Sequence, residues 1–454
     1  MTKHSEVFSG TDRGICSDDK EIALVFAAIH RGISVISIME RKQQRNSMAR
    51  NSDFQRERKK KQLRQNMVTN DKVRSAPVSW AEDHKKTVNV AAIVIVVTVV
   101  IAAIIWLVAA KLWRYKTYEV NWRADVSNAS SAGYVSYGDG IVVMNKDGAT
   151  YYDSKSTKVW SAPYDMSNPK AAVKGDYILI YDLKGKNFTI CNKSGITGSG
   201  TTSQVITKGV IASTGVTVIQ TEDNDASLIS YYRNTGEEIA VSIRNPLQTD
   251  GYPLDISVSP NGQQLAVSYY SIADGTGTSS ISFYDFEQGK EAADRIVASF
   301  DYSENGAYVP RVVYLSDTKA FAVGDCCISF FDVSQRTSIT RNDITIDGEI
   351  QRMFYNSDYL GLVVSDGDGY QIRVYTIDGK EKAVIEQDTL HTGYAFQQNN
   401  VVMYDSSYCE VLSFSGRIRF SREFGNNLYT VIPGAKFKTY YLATMEELQK
   451  IKLK

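Results

Sequence analysis

Residues Gly140–Trp160 read GIVVMNKDGATYYDSKSTKVW. A short apolar strand meets a polar Asn-Lys-Asp-Gly turn. A second strand follows, ending in an aromatic residue and a turn residue (Asp153), and then a third strand begins. The same order returns in Tyr177–Gly195, Val216–Val241, Gln264–Lys290, Lys319–Ile339, Tyr359–Ile385 and Asn400–Phe420. The turn residues are Asp153, Asn192, Arg233, Asp285, Asp332, Thr376 and Ser413, separated by 39, 41, 52, 47, 44 and 37 residues. A mean near 43 is the length of one four-stranded propeller blade. A β-sandwich has no reason to repeat at that interval. No helical pattern interrupts the region, so the expected class is all-β, with a core large enough for roughly 340 residues.

The last segment supplies only three strands, near Leu428–Ile432, Lys436–Ala443 and Glu447–Leu453. The missing outermost strand is expected at Tyr118–Trp122. Seven complete blades and one shared blade predict an eight-bladed β-propeller, with seven blades as the alternative if the last unit is a cap. Pairing the first strand with the last removes an exposed edge. Within a blade the strands run A to D from axis to rim. Tyr118 then begins a D strand on the face carrying the A–B and C–D turns. Residues 111–117 reach at most ~25 Å when extended, so that face is expected near whatever precedes them. The opposite face, with the B–C and D–A loops, becomes the expected working surface.

What precedes is an apolar run, VAAIVIVVTVVIAAIIWLVAA (Val90–Ala110), whose only polar residue is Thr98. Twenty-one helical residues span roughly 31 Å, the thickness of a bilayer's hydrocarbon core. The run is too long and too far from residue 1 for a cleaved signal peptide. The organisation expected is a basic cytoplasmic tail (1–87), a transmembrane helix (88–112) and an extracytoplasmic propeller (118–454). Residues 1–87 hold 18 Lys/Arg against 11 Asp/Glu, and 118–454 hold 30 against 40. The positive-inside rule then puts the N-terminus in the cytoplasm and the propeller outside the plasma membrane, on a single pass.

The tail lacks core-forming periodicity and is expected to be mostly disordered. Its cluster Arg56, Arg58, Lys59, Lys60, Lys61 and Arg64 suits anionic lipid headgroups, at roughly 1 kcal/mol for each basic residue. No aromatic residues interleave with it, so nucleic acid is not expected as a partner. Residues 1–38 include the broken apolar stretch Ile22–Met39 and read as a gene-model artefact, with Met39 or Met48 as the start.

Two resemblances rest on these residues. LDISVSPNGQQLAVSYY (Leu254–Tyr270) and ISFYDFEQGK (Ile281–Lys290), with their S-P-N-G and Y-D-x-x-x-G turns, resemble the WD40-like and quinoprotein-like propeller superfamily. The Trp-Asp dipeptide of true WD40 repeats is absent. The layout over roughly 40–454 resembles an uncharacterised, Firmicutes-type family of bacterial single-pass membrane-anchored propellers of unknown function. The second resemblance implies a cell-surface location and carries no catalytic residues with it.

A search for chemistry finds little. His391 is the one histidine after residue 84, which argues against a histidine metal cluster and a Ser-His-Asp triad. Within DTLHTGY it is expected in a loop, with a surface or hydrogen-bonding role. SDGDGY (Ser365–Tyr370) and EDND (Glu222–Asp225) hint at calcium, but both fall at B–C turns, and position 12 of an EF-hand loop beginning at Asp366 would be Ile377. Cys191, Cys326, Cys327 and Cys409 fall in different blades or on opposite faces, so a disulfide framework is not expected. No cofactor and no metal are expected.

The D–A loops YDMSN (Tyr164–Asn168), NPLQTDGY (Asn245–Tyr252) and DYSENGAY (Asp301–Tyr308) combine tyrosines with acids and amides. Tyr164, Asp165, Tyr252, Asp301, Tyr302 and Tyr308 are therefore the candidate binding face, suited to a protein or a glycan. The expected function is membrane-anchored binding or scaffolding at the cell surface. The alternative is an extracytoplasmic enzyme using paired carboxylates on envelope polymers. A carboxylate pair in a central pocket would favour the enzyme, and a tyrosine-lined face the binder.

Overall fold

A computed structural model describes residues 94–105, 113–126 and 133–454, apart from 274, 288–294, 305, 337, 426–427 and 445–446. Two compact units divide near Trp113 and Arg114. In the first, residues 94–105 are helical. The helix exposes Val94, Ile95, Val96, Val99 and Ile105, each more than half. Thr98 Oγ1 donates to the carbonyl of Val94 at 2.8 Å. Among the described residues no helix is long and apolar enough to cross a membrane. The rest of the 88–112 run, the 1–87 tail and the basic cluster Arg56–Arg64 lie outside the described residues.

The second unit is an eight-bladed β-propeller. Its described residues form eight antiparallel sheets of four strands each. The first seven blades are Gly133–Pro163, Pro169–Thr201, Val205–Pro246, Tyr252–Asp301, Arg311–Thr345, Glu349–Gln387 and Gly393–Glu423. Blade 8 takes Leu428–Pro433, Thr439–Thr444 and Glu447–Leu453 as strands A to C and Tyr118–Asp125 as strand D. Tyr118 lies opposite Leu453, and Asp125 opposite Glu447. The eight-blade expectation holds and the seven-blade alternative does not. The chain enters this unit on the face of the A–B and C–D turns, where Lys116 N–H and Thr117 N–H both donate to the Lys454 carbonyl.

The repeated signature has a local cause. In blades 1, 3, 6 and 7 the C–D turn closes with the same two bonds. The turn residue's N–H donates to the carbonyl four residues on, as in Asp153 to Thr157 and Thr376 to Lys380. Its own carbonyl accepts from the residue three on. That third residue needs a positive φ: Ser156 (70°), Gly236 (86°), Gly379 (79°) and Gly416 (76°). A register shift beside the turn, at Tyr151/Tyr152, Ser230/Tyr231, Val374/Tyr375 and Val411/Leu412, adds the twist a blade requires.

There is no single large core. Eight apolar clusters fill the eight interfaces between neighbouring blades. Strands B and C are therefore buried on both faces, as in Tyr177–Asp182 and Cys327–Asp332, and read as continuous apolar runs. Strand D at the rim alternates, as in Glu238–Pro246. The interface between blades 8 and 1 is the thinnest. Among the described residues it fully buries only Ile141, Tyr441, Ala443 and Leu448. The interface between blades 2 and 3 buries eight.

Candidate functional site

The D–A loops and B–C turns share the face opposite the chain's point of arrival. All three D–A loops read from the sequence lie there, but their tyrosines divide. Tyr302 is 1% exposed. Its hydroxyl donates to Ser329 Oγ at 2.7 Å, which in turn donates to Asp343 Oδ1 at 2.6 Å. Arg341 lies 4.6 Å from its ring centroid. Tyr302 is thus a core residue, and its place on the candidate face is corrected. A D–A chain must cross back over the apolar seam between two blades, and its apolar side chains pack into that seam: Met166 in one loop, Tyr302, Ala307 and Val309 in another. Leu247 in the third loop is buried as well. Tyr164 is half-buried against the interface of blades 1 and 2, with its hydroxyl sealed from water. Burial raises its pKa well above the usual range. Its neighbour Asp165 is exposed. Asp301 is also exposed, and hydrogen bonds from Ser303 hold its carboxyl below the ordinary value.

Tyr252 and Tyr308 remain open, at 47% and 41%. A residue not read from the sequence joins them. Tyr270 is the cross-strand partner of Tyr252, and its ring meets that of Tyr308 edge to face at 5.3 Å. A Cβ on Gly277 would come within 1.9 Å of the Tyr270 hydroxyl, so the glycine lets the ring lie across the neighbouring strand. The signal in the sequence was the alternation of Tyr269 and Tyr270. Tyr269 is buried and bonded to the Tyr284 hydroxyl at 2.8 Å, so its neighbour must point the other way. These tyrosines sit near the tip of the long hairpin Gln264–Ala273/Thr276–Asp285, on which Ile272 is 65% exposed. Three aromatic rings and one aliphatic side chain thus gather on one sector, while Tyr164 and Asp165 stand on the connection between blades 1 and 2.

His391 is more engaged than a surface loop suggests. The residue is 7% exposed. Its Nδ1 lies 2.6 Å from Asp405 Oδ2, and its backbone N–H donates to the Tyr394 hydroxyl at 2.9 Å. Asp405 also accepts from the Thr392 backbone N–H and hydroxyl. Burial alone would raise the Asp405 carboxyl. The bonds from His391 and Thr392 outweigh it and leave the pKa below the ordinary value. The pair borders an open cavity of about 460 Å³ at the seam of blades 6 and 7.

Around the axis, Asp255 is 3% exposed. It pairs with Lys208 at 2.9 Å and Arg311 at 3.8 Å, and its Oδ2 accepts from the Val312 N–H. These bonds tie the inner strands of blades 3, 4 and 5. The Lys174 ammonium donates to the carbonyls of Tyr314 and Leu315, and burial lowers its pKa. The two calcium-like segments are turns. Asp223 Oδ1 accepts from the N–H groups of Asp225 and Ala226, and Asp366 Oδ1 from those of Asp368 and Gly369. Among the described residues no three His, Cys, Asp or Glu side chains are disposed to hold a metal ion. The four described cysteines are free thiols.

A family model described as a family of unknown function (DUF5711) matches residues 111–453, the whole propeller. No curated protein matches the chain. Solved propellers are similar at low identity. Sqt1 of Saccharomyces cerevisiae shares 10% identity at a TM-score of 0.50, covering 75% of this chain and 99% of that one. BamB of Moraxella catarrhalis shares 10% at 0.45, covering 74% and 100%. At such identity the likeness is one of fold alone.

Proposed function

The chain belongs to the DUF5711 family of unknown function, and from its own geometry we propose a membrane-anchored binding or scaffolding protein whose propeller takes a protein partner. The observation that carries this reading is the group of exposed Tyr252, Tyr308 and Ile272 around the half-buried Tyr270. Tyrosines supply large, stiff, amphipathic contact area and concentrate at the centres of interfaces. The Ile272 side chain has no hydrogen-bonding capacity, which favours a protein surface over a sugar. Catalysis by a carboxylate pair finds no support at the axis, where Asp255 is neutralised by Lys208 and Arg311.

The anchor rests on the Val90–Ala110 run, and the orientation on the charge difference across it. Thr98 satisfies its hydroxyl within its own helix, as a polar group in hydrocarbon must. The location we propose is the plasma membrane, with the propeller outside the cell.

The test is photo-crosslinking in intact cells from position 308 of the full chain, followed by identification of the adduct. Tyr252→Ser with Ile272→Asp is expected to lower recovery of the crosslinked protein by about tenfold, the effect of removing one interface anchor. Lys380→Ala, on the opposite face, should leave it unchanged. Equal recovery from all three chains would sink the proposal.

A further inference from the structure

The cavity at the seam of blades 6 and 7 opens on the same face as the tyrosine group, and its carboxyl side chains, Asp388, Asp405, Glu410 and Glu423, face no lysine or arginine in the lining. Asp388 follows the last strand of blade 6, and Asp405 lies in the B–C turn of blade 7. Glu410 and Glu423 come from strands C and D of blade 7, where Tyr408 is the cross-strand partner of Glu423. Alternation puts Tyr408, Glu410, Ser421 and Glu423 on one side of that sheet, with Cys409 packed into the seam with blade 8 on the other. The Tyr408 hydroxyl is placed by Ser421 Oγ at 2.8 Å, and its ring lies nearly parallel to that of His391, 20° apart with centroids at 6.1 Å.

His391 supplies an independent sign of a ligand. The imidazole is more than nine-tenths buried, with Nδ1 committed to Asp405. No hydrogen bond reaches its Nε2 among the described residues, and that atom is not sealed from solvent. In the tautomer that donates Nδ1–H to Asp405, the ring presents Nε2 as a further acceptor. No lysine or arginine lines the cavity.

Four carboxylates, a lone-pair nitrogen and an aromatic face select a donor-rich cation and repel phosphate and carboxylate ligands. The carboxylates are too dispersed for a metal ion, and about 460 Å³ suits an organic group. We propose that this recess binds a guanidinium or alkylammonium group, in function the arginine or lysine side chain of the protein that covers the tyrosine face. Glu410 and Glu423 would take the charge, His391 Nε2 one N–H, and the Tyr408 ring the flat cationic face. The source of the cation rests on the proposed protein-binding role; the chemistry of the recess does not.

The test is calorimetric titration of the purified full chain in detergent with Nα-acetyl-arginine amide, its lysine counterpart and the neutral citrulline analogue. The arginine probe is expected to bind with a Kd on the order of 1 mM, and citrulline at least about tenfold more weakly. Glu423→Gln and Glu410→Gln should each weaken the arginine probe by about tenfold, and added salt should weaken it further. Glu423 is exposed, so its variant remains informative if Glu410→Gln disturbs folding. Absence of binding at about 20 mM probe, equal binding of citrulline, or indifference to both glutamine variants would overturn the proposal. Tyr252→Ser should leave the titration unchanged. Loss of crosslinking with the titration intact therefore strikes the tyrosine reading alone, and the reverse strikes the recess alone.

Discussion

Replacing Trp122 with alanine should open the ring at one seam. Trp122 lies on the strand that completes blade 8, half-buried between Tyr152 of blade 1 and Tyr441 of blade 8, with ring centroids 6.1 and 6.0 Å away. It packs against the thinnest of the eight interblade clusters. A ring of this size removes about 150 Å² from water, worth ~4 kcal/mol at roughly 25 cal/mol per Å². Partial exposure reduces this to about 3 kcal/mol. The buried Nε1–H has no hydrogen-bond partner, so its removal returns ~1 kcal/mol. The net loss is ~2 kcal/mol, and it falls on the seam rather than on the whole ring.

Hydrogen exchange followed by mass spectrometry reads this directly. Amides in Tyr118–Asp125 and Glu447–Leu453 are expected to exchange roughly 30-fold faster in Trp122→Ala, while blades 3 to 6 change little. Phe188→Ala is the comparison. Phe188 is 1% exposed at the interface of blades 2 and 3, and its loss should lower global stability by about 3–5 kcal/mol without singling out the closing strands. Equal acceleration in every blade of Trp122→Ala, or none, would refute the identification of this seam as the weak point.

Two further outcomes follow from titrating groups. Hydrogen bonds from Ser334, then the bond from Lys319, hold the Asp332 carboxyl down to about 2. A depressed folded pKa gives stability that is complete above the unfolded value near 4 and lost as pH falls through about 2. Asp332→Asn should thus lower the urea midpoint near pH 6 and match the wild type near pH 2. Burial pushes the thiols of Cys191, Cys327 and Cys409 up to about 12, so iodoacetamide at pH 8 should spare all three in the native protein and label them in urea. Native labelling of any of them at the unfolded rate would contradict their placement.

The blades were legible because their turns obey a strict local rule. A turn residue three positions before a residue of positive φ, just after an aromatic or a leucine, recurs in four of the blades where strand C hands over to strand D. Asp153, Arg233, Thr376 and Ser413 all mark it. The closing blade was legible because three strands without a fourth imply a strand elsewhere, and Tyr118–Trp122 was the free candidate. The division of the core was missed. Apolar runs such as YILIYD (Tyr177–Asp182) look the same whether they face one core or two neighbouring blades.

At the working face, loop polarity misled. DYSENGAY contains one tyrosine that plugs a seam and one that faces water, and composition cannot separate Tyr302 from Tyr308. Tyr270 was passed over because it belongs to a strand, although the alternation with Tyr269 pointed outward. His391 looked like an ordinary loop residue because its partners come from elsewhere. Asp405, Tyr408 and Tyr394 meet it only once blade 7 has formed.

The pairing of Tyr118 with Leu453 also sets a clock. The two residues are separated by 335 positions in the chain, which a ribosome adding about 5–20 residues per second covers in roughly 15 to 70 seconds. Throughout that interval the first strand to be made has no neighbour, and each new blade stacks onto an open arc. The first strand synthesised is the last to be paired. Translation that halts before Leu453 leaves both ends of the arc as bare edges, which proteases and holding chaperones can recognise without reading any other feature of the chain.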